Sequence, residues 1–230
     1  MTAPSQPRTR IKICGLTREQ DVDAAVEAGA DAVGFVLYAK SPRCVSAARA
    51  AELARRLPPF VTPVLLTVNA SPEFLLEACG HVPNAVLQFH GDETPQQCEA
   101  AGRPYVRAAR VPLDEATPFD LLKFASDFAH AQALLLDAHV EGYGGGGKAF
   151  HWSRLPPSVS CHAVLSGGLT PANVGDGILQ VRPRFKSLAV DVSSGVEASK
   201  GVKDPAKIHQ FVAAVRAADV LLARPSHVFL

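Results

Sequence analysis

The chain has 230 residues, of which 47% are hydrophobic and 20% charged. This length and composition are typical of one globular domain and exclude a disordered or fibrous chain. The 23 basic and 22 acidic residues give a formal net charge of +1, without the basic excess that neutralises phosphates in nucleic-acid-binding proteins, so we expect a small-molecule partner and no nucleic acid.

After a polar N-terminal lead over residues 1–9, short apolar runs alternate with longer amphipathic segments about eight times. The apolar runs are nearly continuous, as in strands that are buried on both faces. The sequence predicts strands over residues 10–14, 32–36, 63–68, 85–89, 105–110, 133–137, 163–166 and 187–192.

The amphipathic segments predict helices over residues 18–28, 46–56, 72–79, 95–101, 120–130, 171–179 and 204–222, with a short one near Trp152. Thr17 is expected to cap the first helix with Gln20 three residues on, and Pro171 to open the helix over residues 171–179. A strand followed by a helix, about eight times, predicts a single-domain α/β protein, a (β/α)8 TIM barrel over residues 10–222 with a tail over 223–230. A doubly wound open sheet is the alternative, but it often carries a GxGxxG turn where this chain has CGLT.

Catalytic groups of TIM barrels lie at the carboxyl ends of the strands and in the loops that follow. A thiol, a guanidinium and carboxylates occupy such positions here, and we expect them on one rim of the barrel. The polar residues at or just after the predicted strand ends are Cys14, Arg43, Asn69, Gln88, His90, Asp137, Ser166 and Asp191.

Glycine-rich turns end the last two predicted strands, at Gly167 and Gly168 and at Ser193, Ser194 and Gly195. Glycine lets backbone N–H groups approach an anion closely, and barrels typically hold phosphate at these two loops. The sequence therefore predicts a phosphate site there.

A second glycine-rich segment, EGYGGGGKAFHW at residues 141–152, includes Gly145, Gly146, Gly147 and Lys148. It lacks the GxxxxGK[ST] spacing of a P-loop. We expect a flexible loop that closes over the ligand.

The cysteines are odd in number and widely spaced, without a CxxC pair or a Cys/His cluster, so neither a disulfide framework nor a metal site is expected. No apolar run is long enough to cross a membrane, and the first ten residues lack the apolar segment of a secretory signal. These features predict a cytoplasmic protein without membrane contact.

The ordered motifs KICGLT, ADAVGFVLYAKSPR, LQFHGDE, LLLDA, YGGGGK, LSGGLTPANV, VDVSSGVE and KGVKD resemble those of the phosphoribosylanthranilate isomerase family of tryptophan biosynthesis. The resemblance runs from about Lys12 to Phe211. It implies an Amadori rearrangement of N-(5'-phosphoribosyl)anthranilate to 1-(2-carboxyphenylamino)-1-deoxyribulose 5-phosphate, the third step of the tryptophan branch from chorismate. It also implies that no cofactor or metal is needed and that the enzyme is a monomer or a homodimer.

The same resemblance implies roles for the residues at the rim. Cys14 corresponds to the general base, Asp137 to the general acid, and Arg43 to the residue that binds the anthranilate carboxylate. A thiolate near cationic groups can abstract a proton from carbon, whereas a neutral thiol cannot. Gln88 and His90 are expected to line the substrate site rather than to act directly.

The chain departs from the family pattern at Gly146, where serine or threonine is usual, and at Phe89, where an aliphatic residue is common. Neither departure touches the expected acid or base. Rival barrels fit less well, because the Amadori isomerase of histidine biosynthesis uses aspartates at strand ends 1 and 5, and indole-glycerol-phosphate synthase uses lysine and glutamate. A non-catalytic barrel that binds a phosphorylated ligand is the alternative from another class.

Overall fold

The computed structural model describes residues 8–114, 117–138 and 150–223. Eight parallel strands close into a barrel in chain order, with β8 returning to pair with β1. The predicted TIM barrel is therefore confirmed. The strands are β1 Arg10–Cys14, β2 Ala32–Val36, β3 Thr62–Thr67, β4 Val86–Phe89, β5 Tyr105–Val111, β6 Ala133–Ala138, β7 Val159–Leu165 and β8 Phe185–Val192.

Seven α-helices lie in the described part of the chain, and none of them combines the length and apolar character needed to cross a membrane. Where a short helix was predicted near Trp152, the described residues form one 3-10 turn, Trp152–Arg154. The helices are α1 Glu19–Glu27, α2 Ala47–Ala54, α3 Pro72–His81, α4 Pro95–Ala100, α5 Leu121–Asp127, α6 Val174–Val181 and α7 Pro205–Ala223.

The chain between β8 and α7 forms a 3-10 turn, Ser194–Val196, and then a small antiparallel hairpin. The hairpin strands are β9 Glu197–Ser199 and β10 Val202–Lys203. The second glycine-rich turn thus leads into a single 3-10 turn.

Two predicted helix starts are wrong. Thr17 does not cap α1: its hydroxyl donates to the carbonyl of Gly201 at 2.9 Å, and α1 begins at Glu19. Pro171 lies in a turn before α6, because Asn173 Oδ1 accepts from Thr170 N–H and Asn173 Nδ2 donates to the Gly168 carbonyl. These side-chain bonds hold the turn and delay the helix until Val174.

The barrel has a large outer core between strands and helices and smaller clusters inside the ring of strands. In β1 the alternation of side chains places Ile11 and Ile13 in the outer core, while Lys12 and Cys14 point inward. Two successive inward positions of β1 thus carry polar, reactive groups.

The amino-terminal face of the barrel is closed by a polar clasp, which we define as Thr9, Arg182 and Asp219. The Asp219 carboxylate near the end of α7 accepts from the Thr9 N–H at 2.9 Å and from the Thr9 hydroxyl at 2.5 Å. Arg182, which precedes β8, donates to Asp219 at 3.2 Å and also to the Thr9 hydroxyl. The clasp therefore ties the residue before β1 to the last helix, on the face opposite the carboxyl ends of the strands.

Candidate active site

Cys14 ends β1 and its thiol packs against Val36 and Leu66 from the next two strands. Gly34 of β2 pairs with Cys14 in the ladder and leaves space for the thiol. A β-carbon at position 34 would lie 2.7 Å from Cys14 Sγ and 3.0 Å from Lys12 Nζ, inside van der Waals contact. The thiol and the Lys12 ammonium therefore converge on the gap that Gly34 leaves open.

Lys12 forms a buried ion pair with Asp191 of β8, with 2.7 Å between Nζ and Oδ1. The Ser166 hydroxyl donates to the other oxygen of Asp191 at 3.2 Å. Burial opposes the charge on Lys12, but Asp191 and Cys14 together raise the Lys12 pKa well above its ordinary value. Burial also raises the pKa of Cys14, and Lys12 opposes that rise by attracting the thiolate.

Asp137, in β6, is the carboxylate of a buried row of three hydrogen-bonded side chains. Its Oδ2 lies 3.0 Å from His90 Nε2, and His90 Nδ1 lies 3.2 Å from the side-chain amide of Gln88. The other oxygen accepts from the Ala138 N–H at 2.9 Å. Gln88 and His90, the two residues predicted around the end of β4, thus belong to one hydrogen-bonded row that ends at Asp137.

Arg43 forms a buried, bidentate ion pair with Glu197 of β9, through Nε at 2.7 Å and Nη2 at 2.8 Å. Lys203 of β10 donates to the same carboxylate at 2.8 Å and to the carbonyl of Ser193 at 3.0 Å. Burial opposes ionisation of Glu197, but its bonds to Arg43 and Lys203 lower its pKa. This cluster contains two cations and one carboxylate, so it has an excess positive charge at the rim.

The two predicted phosphate turns lie against each other. A β-carbon at Gly195 would collide with the carbonyl oxygen of Leu169, directly after the first turn. Gly167 and Gly168 have φ angles of 75° and 63°, which favour glycine, and among the described residues their backbone N–H groups donate to none. Gly167 also fits closely over Asp137, since a β-carbon there would lie 2.7 Å from Oδ1.

The predicted closing loop with Gly145, Gly146, Gly147 and Lys148 lies outside the described residues. Within residues 8–114, 117–138 and 150–223, no group of three or more His, Cys, Asp or Glu side chains has a geometry that could hold a metal ion.

Comparison with known proteins shows the family of this chain. Residues 11–214 match the family model described as N-(5'phosphoribosyl)anthranilate (PRA) isomerase. A relative from Methylibium petroleiphilum named N-(5'-phosphoribosyl)anthranilate isomerase is 67% identical over 217 residues, which cover 94% of this chain and 98% of the relative. The chain belongs to the phosphoribosylanthranilate isomerase family.

Solved structures of phosphoribosylanthranilate isomerases have the same fold. The Thermotoga maritima protein aligns with a TM-score of 0.76 and 38% identity over 91% of this chain and 99% of its own. Another, solved in complex with reduced 1-(o-carboxyphenylamino)-1-deoxyribulose 5-phosphate, aligns with a TM-score of 0.74 and 35% identity over the same shares. The predicted function, an isomerase of tryptophan biosynthesis, is confirmed.

Sequence reasoning did not single out three charged residues of this isomerase as functional: Lys12, Glu197 and Lys203. Lys12 had a detectable signal, because a lysine inside an apolar strand and two residues before Cys14 must share the inward face. Glu197 and Lys203 come together only through the hairpin after β8, which no periodicity in the sequence indicated.

Proposed function

We propose that this phosphoribosylanthranilate isomerase uses Cys14 as its general base and Asp137 as its general acid. The observation that carries the proposal is the placement of a thiol and a carboxyl group at the same rim, each with its own partner. Lys12 lies beside the thiol, and His90 is hydrogen-bonded to the carboxyl group. A base and an acid with separate surroundings are what the rearrangement requires.

In the proposed mechanism, protonated Asp137 donates its proton to the furanose ring oxygen, and the bond from that oxygen to C1' breaks to give the open-chain iminium. The Cys14 thiolate then removes the proton from C2', and the electron pair of that C–H bond forms the C1'–C2' double bond while the nitrogen becomes neutral. The resulting enolamine tautomerises to the aminoketose. Asp137 ends as a carboxylate and Cys14 as a thiol, so Cys14 releases its proton to solvent and Asp137 takes one up before the next turnover.

Arg43 is proposed to bind the anthranilate carboxylate. Its pair with Glu197 uses Nε and Nη2, so the edge that includes Nη1 is the one that would meet a substrate. The excess positive charge of the cluster of Arg43, Glu197 and Lys203 favours an additional anion. A planar, bidentate donor held at a fixed angle is well suited to a planar carboxylate.

The phosphate of the substrate is proposed to bind the backbone amides of Gly167, Gly168, Ser194 and Gly195, with Ser193 shaping the second turn. The contact between these two turns would let both sets of amides face one anion.

The lining role of Gln88 and His90, the closing role of residues 145–148, a cytoplasmic location and a monomeric or homodimeric state stay predictions. The hydrogen bond from His90 to Asp137 supports a lining role close to the acid.

The acid and base assignment is tested with Cys14→Ala and Asp137→Asn. Each should lower kcat by at least about 100-fold, since general acid or base catalysis contributes about 10²–10⁴ in rate. Loss of phosphoribosylanthranilate fluorescence measures turnover, and binding of the reduced product analogue should stay within a few-fold of wild type. Cys79→Ala on α3 and Asp127→Asn on α5 serve as matched controls, and near wild-type turnover of either active-site variant would refute its assignment.

The role of Arg43 is tested with Arg43→Lys. Lysine keeps the charge but loses the planar pair of donors, so KM should rise by about tenfold or more, the loss of one or two charge-assisted hydrogen bonds. The kcat should change much less, because Arg43 does not contact the reacting carbons in the proposed mechanism. An unchanged KM would contradict carboxylate binding; Arg55→Lys, beyond the end of α2, is the control.

A further inference from the structure

Lys12 occupies a position where a charged side chain is costly. It lies on the inward face of an otherwise apolar strand and is buried, so its ammonium needs a partner. Asp191 supplies one directly across the β1–β8 ladder, where the two residues are in register. That pair alone could be a brace for barrel closure, but the Lys12 ammonium also shares the Gly34 gap with the Cys14 thiol.

The charged groups that act on the thiol come from four elements. Lys12 lies on β1 and Asp191 on β8, Arg43 follows β2, and Lys203 lies on β10. Arg43 and Lys203 are both bound to the Glu197 carboxylate, which balances part of their charge. After burial, Lys12 has the largest effect on the thiol.

Tyr38 is another titratable group close to the thiol. It is partly buried and packs against the inner cluster of Cys14, Val36 and Leu66.

We propose that Lys12 increases the fraction of the Cys14 base that is thiolate, and that Asp191 anchors the Lys12 ammonium while limiting how far the thiolate is favoured. Lys12 is thus a positioning residue that acts through Cys14. This inference rests on the proposed role of Cys14 as the base. Removal of the cation must make the thiolate harder to form, and removal of the anion must make it easier.

Turnover as a function of pH is a poor test of this inference. The working state has a thiolate and a protonated Asp137, and the state with a thiol and a carboxylate contains the same number of protons. Changing pH does not shift the balance between these two states. The thiol therefore has to be titrated directly, in the enzyme without substrate.

The experiment measures the rate of iodoacetamide labelling of Cys14 from pH 6 to 11 by peptide mass spectrometry. Only the thiolate reacts with iodoacetamide. The pH at which the labelling rate is half its maximum therefore reports the ionisation of the Cys14 thiol, and it does not depend on how accessible the thiol is. The exposed Cys44 in the same chain is the internal reference, because partial burial is what raises its pKa and Lys12 does not act on it. In the wild type the Cys14 midpoint should lie above that of an ordinary cysteine.

Lys12→Met should move the midpoint to higher pH and slow labelling at pH 8 by at least about tenfold, whereas Asp191→Asn should move it to lower pH and speed labelling by about tenfold. Lys12→Arg, which keeps the charge, should stay nearer the wild type than Lys12→Met does. Cys44 should label at the wild-type rate in every variant.

Shifts of the same sign in Lys12→Met and Asp191→Asn, or no shift, would overturn the inference. If Lys12→Met does not fold, Asp191→Asn decides, and an unchanged or raised midpoint in that variant overturns it. These outcomes are separate from the activity of Cys14→Ala, which tests the proposed function itself.

Discussion

At the scale of the residue, one glycine determines whether the thiol can occupy its place. Gly34 has an ordinary backbone conformation, so its value lies in the missing side chain rather than in its φ angle. Burial raises the pKa of Cys14, and a thiolate with a raised pKa is a stronger base that is less often present. Placing Lys12 in the same gap increases the fraction of Cys14 that is thiolate.

Gly34→Ala should therefore impair catalysis more than binding. The added methyl group would press on Cys14 Sγ and Lys12 Nζ, at a cost of about 1–3 kcal/mol for overpacking. We expect kcat to fall at least about tenfold, with KM within about twofold, since Arg43 and the phosphate turns are untouched. Gly175→Ala in α6, where a β-carbon meets nothing within 4 Å, is the matched control, and steady-state kinetics that show equal losses in both variants would argue against this reading.

At the scale of the element, the hairpin of β9 and β10 connects two parts of the site. Glu197 of β9 holds Arg43, and Lys203 of β10 holds both Glu197 and the carbonyl of Ser193. The loop after β2 and the turn after β8 are therefore joined through one buried carboxylate. A rim built from separate loops gains a fixed geometry from this connection.

Glu197→Gln should lower the free energy of unfolding by about 3 kcal/mol near pH 7, because two buried cations lose their counter-ion. The folded-state pKa of Glu197 is lowered, so the carboxylate stabilises the fold above its unfolded pKa, and this contribution is lost as pH falls through the folded value. The difference in free energy of unfolding between wild type and variant should thus shrink below about pH 4. Urea unfolding at pH 7 and pH 3.5 measures this difference, and Glu77→Gln at an exposed position is the control. A difference that does not change with pH would contradict the charge argument.

At the scale of the whole molecule, the two faces of the barrel have different roles. The carboxyl ends of the strands present Cys14 and Asp137, and the opposite face carries the clasp of Thr9, Arg182 and Asp219. In TIM barrels the first face serves catalysis and the second serves stability. Stability and activity should therefore respond to different substitutions.

Asp219→Ala tests that separation. The carboxylate accepts bonds from the backbone and hydroxyl of Thr9 and from Arg182, so its loss should lower the free energy of unfolding by about 2–4 kcal/mol. The kcat/KM of the folded variant should match the wild type. Urea unfolding and the fluorescence assay measure the two effects, Glu27→Ala at the exposed end of α1 is the control, and a matching loss of kcat/KM would show that the faces are not independent.

Much of this architecture could be predicted from the sequence, for reasons visible in particular residues. The strands are short apolar runs that must be buried, and their ends carry Cys14 and Asp137, where catalysis occurs in TIM barrels. Helix starts that depend on one side chain were less predictable, since Thr17 finds a partner in Gly201, far along the chain. The same holds for the pair of Arg43 and Glu197, which forms across 154 positions of sequence and is set by tertiary packing rather than by local pattern.

The clasp has a further consequence for how the chain could be rearranged. Because Thr9 and Asp219 are in direct contact, the start of the first strand and the end of the last helix lie side by side on the face away from Cys14. A short linker could join these two points, and new termini could open in an exposed turn such as that at Gly29. A circularly permuted enzyme of this kind should keep the β8–β1 pairing that closes the barrel, and with it the contact between Lys12 and Asp191.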